Sequence, residues 1–385
     1  MTGVGSDPHP PLLYPDYRAT RARAPSRPLA DLRPTLTELT GPVLGEGRVS
    51  EGDNDLTAQH EGEPQGERII VHGRVRESSG RAVPDTLVEV WQCNAAGRYR
   101  HAGDQHPAPL DPNFTGVGRC MTDAEGRFRF VTIKPGAYPW RNHPNAWRPA
   151  HIHFSLFGRA FTQRLVTQLY FPGDPLCPYD PIFNAVRDPA ARELLVCRFD
   201  LEQAVPDWAL AYEFDIVLRE TPSQTVGPYF SIGMTWDDGT FVVPEGTEGA
   251  LWLSGRVFDG EGATIPDAIV ETWQAGPDGR FGEGFRGFGR SPTDEHGRWG
   301  VLTLKPGPVD DQAPHVDLAV YARGLLRQVM TRLYFPDEER RNAADPVLSG
   351  LDADARATLV AERSPEGYTM DIHLQGPHAT AFFAF

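Results

Sequence analysis

A chain of 385 residues with a formal net charge of −15 can hold two or three domains with real cores, and its sign argues against nucleic acid or an anionic membrane surface as the main partner. An anionic substrate would need a local cluster of arginines. No apolar run approaches the roughly 18 residues of a membrane helix, and the four cysteines (Cys93, Cys120, Cys177, Cys197) form no CxxC pair, so reduced thiols in a cytoplasmic protein are expected rather than a disulfide framework or a zinc ribbon.

Residues 1–66 are rich in proline and polar side chains and weakly periodic. They read as an extended arm plus loops packing on a first module, and their opening stretch has no apolar core of a secretory signal. From 67 the pattern changes. "ERIIVHGRV" (67–75), "TLVEVWQ" (86–92), "RFRFVTI" (127–133), "HIHFSL" (151–156) and "LVTQLYF" (165–171) read as strands, between turns that draw on 39 glycines and 36 prolines. In "HIHFSL", alternation sets His151, His153 and Ser155 on one face and Ile152, Phe154 and Leu156 on the other, as in a strand half buried on a core. Short helices are expected in "DPAARELLVCRFD" (188–200) and in the stretch 338–363.

The chain then repeats itself. "GRVRESSGRAVPDTLVEVWQCNAAGRYR" (73–100) is echoed by "GRVFDGEGATIPDAIVETWQAGPDGRFG" (255–282), with Gly73/Gly255, Trp91/Trp273 and Tyr99/Phe281 at one constant spacing. "TDAEGRFRFVTIKPG" (122–136) returns as "TDEHGRWGVLTLKPG" (293–307), "VTQLYFPGD" (166–174) as "MTRLYFPDE" (330–338), and "YEFDIVLRE" (212–220) as "YTMDIHLQG" (368–376). The expected fold is all-β: two homologous β-sandwiches, 67–219 and 220–385, with short helices in loops and the arm in front. The copies differ in chemistry at few positions. Tyr99 becomes Phe281, losing only a hydroxyl; Tyr138 becomes Val309; His151 is kept as His315; His153 becomes Asp317. A His-x-His pair on a strand suits two metal ligands, but alone it suits satisfied core histidines about as well.

"GRYRH", "DPNFTGVGRC", "KPGAYPWRNHPNAWRPAHIHF" and "TQLYFPGDPL" resemble the iron-bearing chain of the protocatechuate-cleaving branch of the intradiol ring-cleavage dioxygenases. "ETPSQTVGPYF", "GRVFDG", "ETWQ", "TRLYF" and "AFFAF" resemble the iron-free partner chain, and the resemblance implies that the two are fused in one polypeptide. The resemblance implies one Fe(III) per chain, held by Tyr99, Tyr138, His151 and His153. Two hard phenolates and two imidazoles suit a ferric ion, and two phenolates plus one hydroxide neutralise it, which limits the cost of burying it. It implies that Tyr138 is released when a dihydroxybenzene binds, and that Arg148 is a fixed cation beside the ring. Tyr17, Trp140, Arg141 and Gln168, together with Thr225, Gly227, Pro228 and Arg332 of the partner-like half, would surround the substrate. The implied reaction, part of aromatic catabolism by the β-ketoadipate pathway, is cleavage of protocatechuate with O2 to 3-carboxy-cis,cis-muconate, by a homo-oligomer of the fused chain. Two alternatives stand beside it: an intradiol dioxygenase for catechol or hydroxyquinol, and a non-catalytic β-sandwich binding protein with a vestigial metal site.

Overall fold

A computed structural model describes residues 7–44, 46–282 and 284–385; the first six residues of the expected arm lie outside the described residues. The chain divides into two compact units, one of residues 1–18, 44–158 and 163–234, the other of 19–43, 159–162 and 235–385.

The first unit is built on two sheets. One is antiparallel throughout, in the order Val117–Met121, Leu87–Trp91, His151–Leu156, Leu165–Tyr170. The other centres on Arg68–Glu77, which pairs antiparallel with Arg127–Ile133 and parallel with Leu210–Glu213 and Ile216–Leu218. Apolar side chains at every second position of both sheets meet in one core: Val88, Val90, Ile152, Phe154, Leu156 and Leu169 with Ile69, Val71, Phe128, Phe130 and Phe214. The strand His151–Leu156 is not half buried as its alternation suggests. Every one of its residues is buried. Its histidine face is covered by the Tyr138 loop and by the stretch after residue 224, where Gly227 lies against His153 and Gly233 against Trp91. That cover is what makes a polar face into an enclosed site.

The second unit has the same two-sheet plan. Its larger sheet runs Phe288–Pro292, Ala268–Trp273, His315–Ala322, Val329–Tyr334, Phe383–Ala384, Ala30–Asp31. The other pairs Ala250–Phe258 with Arg298–Leu304, Gly367–Thr369 and Ile372–His373. Helices are short, such as Pro189–Glu193, Glu339–Ala344 and Ala353–Ala357, within the stretches where they were expected.

The units depart from the boundaries read off the repeat. Residues 19–43 of the arm join the second unit rather than the first, because Ala30–Asp31 adds a parallel edge to Phe383–Ala384. Residues 220–234 belong to the first unit, because the chain just past the repeat boundary is hydrogen-bonded to the edge of Leu165–Tyr170, with Gln224 N–H donating to the Val166 carbonyl at 2.9 Å.

Candidate metal centre

Two turns and one strand bring the predicted ligands together in the first unit. The turn carrying Tyr99 and the "KPG" turn carrying Tyr138 are pressed together: a Cβ on Gly97, whose φ is +79°, would lie 2.4 Å from the Ala137 carbonyl oxygen, and one on Gly136 would lie 2.3 Å from that of Ala95. Only glycine permits that approach. Asp104 accepts from the Tyr99 backbone N–H at 2.7 Å and fixes the end of the turn. Tyr138 starts a two-residue strand paired with Trp147–Arg148, which leads directly into His151.

The four side chains form a continuous group of rings. Tyr99 meets Tyr138 edge-on at 5.6 Å between centroids, Tyr138 meets His151 at 5.5 Å, and His151 meets His153 at 5.0 Å. The Tyr138 hydroxyl is 3.3 Å from His151 Nε2. His151 Nδ1–H donates to the Pro149 carbonyl at 2.7 Å, which leaves Nε2 unprotonated, with its lone pair turned to the Tyr138 hydroxyl. His153 lies flat on Trp91 at 4.7 Å and 7°. The Tyr99 hydroxyl and His153 Nδ1 are buried with no hydrogen-bond partner. Orphaned buried polar atoms are costly, and here they belong to two of the four candidate ligands.

Burial sets the protonation states. It pushes the Tyr99 and Tyr138 phenols above the ordinary tyrosine range. It also pushes His151 and His153 well below the ordinary histidine range, with the Arg148 charge adding to the effect. The metal-free site therefore holds neutral phenols and neutral imidazoles. Imidazole is thus ready to ligate, whereas each phenol must lose a proton, and only a strong cation compensates that loss. Among the described residues no group of three or more His, Cys, Asp or Glu could hold a metal. This cluster differs by supplying two phenol oxygens, donors that fit a hard trivalent ion.

Arg148 lies beside the cluster, 3% exposed. Its Nε and Nη2 reach Asp180 Oδ2 at 3.2 and 2.9 Å, and Nη2 also reaches Gln168 Oε1 at 2.7 Å and the Tyr170 hydroxyl at 2.9 Å. Its guanidinium stands over the Trp140 ring at 5.6 Å, and Tyr17 packs on the same indole at 5.6 Å. Gln168 sits opposite His153 in the strand ladder and donates to the Thr225 carbonyl at 2.8 Å. Gly227, with φ +73°, approaches His153 so closely that a Cβ would lie 3.4 Å from Cε1; Pro228 follows it. Arg141 is exposed.

Arg332 requires a correction. Expected to face substrate, it is 1% exposed inside the second unit. Its Nε is 3.1 Å from Asp317 Oδ1, and its guanidinium is bonded to Glu38, Thr35 and Tyr334. The second unit thus keeps one ligand-like imidazole, His315, with Nδ1–H on the Ala313 carbonyl at 2.8 Å and Nε2 on Thr37 Oγ1 at 3.0 Å. Around it an ion-pair cluster replaces the phenols and the second histidine: Phe281 and Val309 offer no oxygen, and Asp317 faces a guanidinium.

Sequence reasoning missed Trp91, Asp180, Tyr170 and Tyr229. The Tyr229 ring packs on Tyr99 at 4.9 Å and on His101 at 5.1 Å. Its signal was available, since it closes the quoted "TVGPY" run. Trp91, Tyr170 and Asp180 recur in the other half as Trp273, Tyr334 and Asp345, so a search for differences passes over them.

Residues 39–220 and 225–376 match the dioxygenase family, and the chain belongs to that family. Residues 5–35 match a second family, the N-terminal part of the protocatechuate 3,4-dioxygenase beta subunit. The protocatechuate 3,4-dioxygenase beta chain of Burkholderia cepacia is 61% identical over 213 residues, 55% of this chain and 90% of its own length. The alpha chain from the same organism is 41% identical over 192 residues, 43% of this chain and 98% of its own. Catechol 1,2-dioxygenase of Candida albicans is 33% identical over 141 residues, 32% of this chain and 43% of its own. This polypeptide carries beta-like and alpha-like sequence in one chain, it is an enzyme, and its family implies non-haem iron.

Proposed function

We propose that the chain cleaves protocatechuate between its two hydroxylated carbons with O2, giving 3-carboxy-cis,cis-muconate, at one Fe(III) held by Tyr99, Tyr138, His151 and His153. The observation that carries this is the convergence of two buried phenols and two neutral imidazoles, one phenol with an unpartnered hydroxyl, in a chain whose other half has replaced three of the four. Iron, when bound, supplies the charge that ionises the phenols and prepares a chelated dihydroxybenzene for O2.

The chain's own residues do the rest. The Pro149 carbonyl holds the His151 ring in the tautomer that presents Nε2. The Tyr138 oxygen is the site for one of the two phenolic protons the substrate gives up. Arg148 spends Nε and Nη2 on Asp180, Gln168 and Tyr170, and Nη1 makes no hydrogen bond among the described residues. Two fixed donors are therefore left beside the ring, where negative charge grows during attack. Tyr17 and Trp140, packed together, supply a wall for the ring and its carboxylate. Gly227 lets the backbone close over His153 without a side chain intruding. Free cysteines fit a cytoplasmic setting, and no helix among the described residues is long and apolar enough to cross a membrane. The homo-oligomer expected from the family is checked by light scattering.

Metal analysis together with oxygen uptake on protocatechuate and catechol, side by side, tests the assignment. Iron near one per chain with preference for protocatechuate is expected. A colourless, iron-replete protein without uptake would overturn it.

A further inference from the structure

The stretch that follows the first repeat is built into the site. Residues Thr221–Val226 are all buried. Thr221 is tied back to Val217, its N–H donating to the Val217 carbonyl at 2.8 Å and its Oγ1 accepting from the Val217 N–H at 2.9 Å. Thr167 Oγ1 donates to the Pro222 carbonyl at 2.7 Å, and Gln224 N–H donates to the Val166 carbonyl. The segment therefore runs in fixed register along the edge strand that carries Gln168 and Tyr170, and three residues beyond Gln224 it delivers Gly227 to His153.

Two glutamine amides are oriented by this segment. Gln168 Nε2 donates to the Thr225 carbonyl at 2.8 Å, which turns Oε1 toward Arg148. Gln224 Nε2 donates to the Ser223 carbonyl at 3.0 Å, which turns Oε1 toward the Tyr170 hydroxyl at 3.1 Å. That hydroxyl accepts from Arg148 Nη2 and has one proton to give. Its acceptors are Gln168 Oε1 at 3.0 Å, Gln224 Oε1 at 3.1 Å and Asp180 Oδ2 at 3.4 Å. Gln168 Oε1 and Asp180 Oδ2 are also bonded by Arg148, so of the three acceptors Gln224 Oε1 is the one that holds the hydroxyl without sharing itself with the guanidinium.

We propose that Gln224 and Thr167 are positioning residues of the site: Thr167 sets the register of the segment, and Gln224 fixes Arg148 through the Tyr170 hydroxyl. The loop bearing Gly227 and the guanidinium bearing the open Nη1 face are then held by one hydrogen-bonded relay. In this fused chain the relay crosses the repeat boundary within a single polypeptide. Its catalytic consequence rests on the role given to Arg148 above.

The test uses the iron-loaded full chain and two near-isosteric changes, Gln224→Met and Thr167→Val. Thr167→Val removes one buried hydrogen bond and Gln224→Met removes two, of which one reaches Tyr170, so kcat/KM for protocatechuate should fall roughly three- to tenfold in each. Iron content and the tyrosinate charge-transfer band should stay at wild-type levels. Gln224→Met should add nothing in a Tyr170→Phe background, because the relay is already cut. Independent, multiplying effects of Gln224→Met and Tyr170→Phe would overturn the relay, and iron loss in step with activity would make these residues part of the metal cluster's scaffold instead. Thermal melts of the four metal-free proteins (wild type, each single variant, the double) read the same coupling without catalysis. Non-additive melting shifts support the relay even if protocatechuate proves to be the wrong substrate, and additive shifts refute it.

Discussion

Replacing Tyr99 by Phe, the residue its copy already carries, should act with opposite signs in the metal-free and metal-loaded protein. The Tyr99 ring is buried, and its hydroxyl has no hydrogen-bond partner. A buried, unsatisfied polar group costs about 1–3 kcal/mol, and the change removes it while leaving the ring in place. Losing one oxygen forfeits a few weak contacts, so the metal-free first unit should gain about 1 kcal/mol, or about 2–4 °C in melting temperature for a domain of this size. The loaded protein should lose a direct ligand. Disturbing residues behind a ligand already costs about 10–100-fold in metal affinity, so removing a phenolate should cost at least as much. Calorimetry of the metal-free protein and iron retention against a competing chelator measure the two sides. A Tyr99→Phe protein that is less stable without metal, yet retains iron normally, would mean that the hydroxyl is structural and that the ligand assignment is wrong.

Arg148→Ala should lower turnover more than iron content and should also destabilise the fold by about 3–5 kcal/mol, because it leaves Asp180 charged and buried. Arg148→Ala/Asp180→Asn should recover much of that loss in denaturant melts, although not the turnover. Glu38→Ala should destabilise the second unit on the same scale by stripping a counter-charge from buried Arg332, with iron content unchanged. Burial depresses His315 to about 3, so the unfolded chain binds a proton there that the folded chain refuses. The contribution is fully present above pH ~6.5 and falls as pH drops; by pH 5.5 the loss should be on the order of 1 kcal/mol, and His315→Asn should flatten that part of the metal-free stability profile.

Much of the candidate site was legible because its elements are local. Period-two alternation located the histidine strand, and a turn-glycine pattern shared by both halves made the missing hydroxyl at Phe281 visible. What the sequence hid depends on long-range docking. Residues 19–43 look like any proline-rich arm until Ala30–Asp31 is seen paired with a strand near the other end of the chain. Glu38 looks like a surface capping residue, and it does close a capping box with Thr35, but the same carboxylate is buried against Arg332. Arg332 itself was expected to bind substrate because the resemblance assigned the "TRLYF" run of the partner-like half to the pocket wall. Its partners decided, and Glu38, the carboxylate bonded to it, lies 294 residues away in sequence. Asp180 was invisible for a different reason: as an N-cap before Pro181 it already had a sufficient local explanation.

The cluster in the second unit limits what back-mutation can achieve there. Restoring tyrosine at 281 and 309 and histidine at 317 would rebuild the donor list but leave the Arg332 guanidinium against position 317, with Glu38 still bonded to it. A buried guanidinium repels a ferric ion held at the same strand position. A working second centre would first require evicting Arg332 and pulling the arm helix away. Donor residues alone therefore cannot turn this unit into a second metal centre.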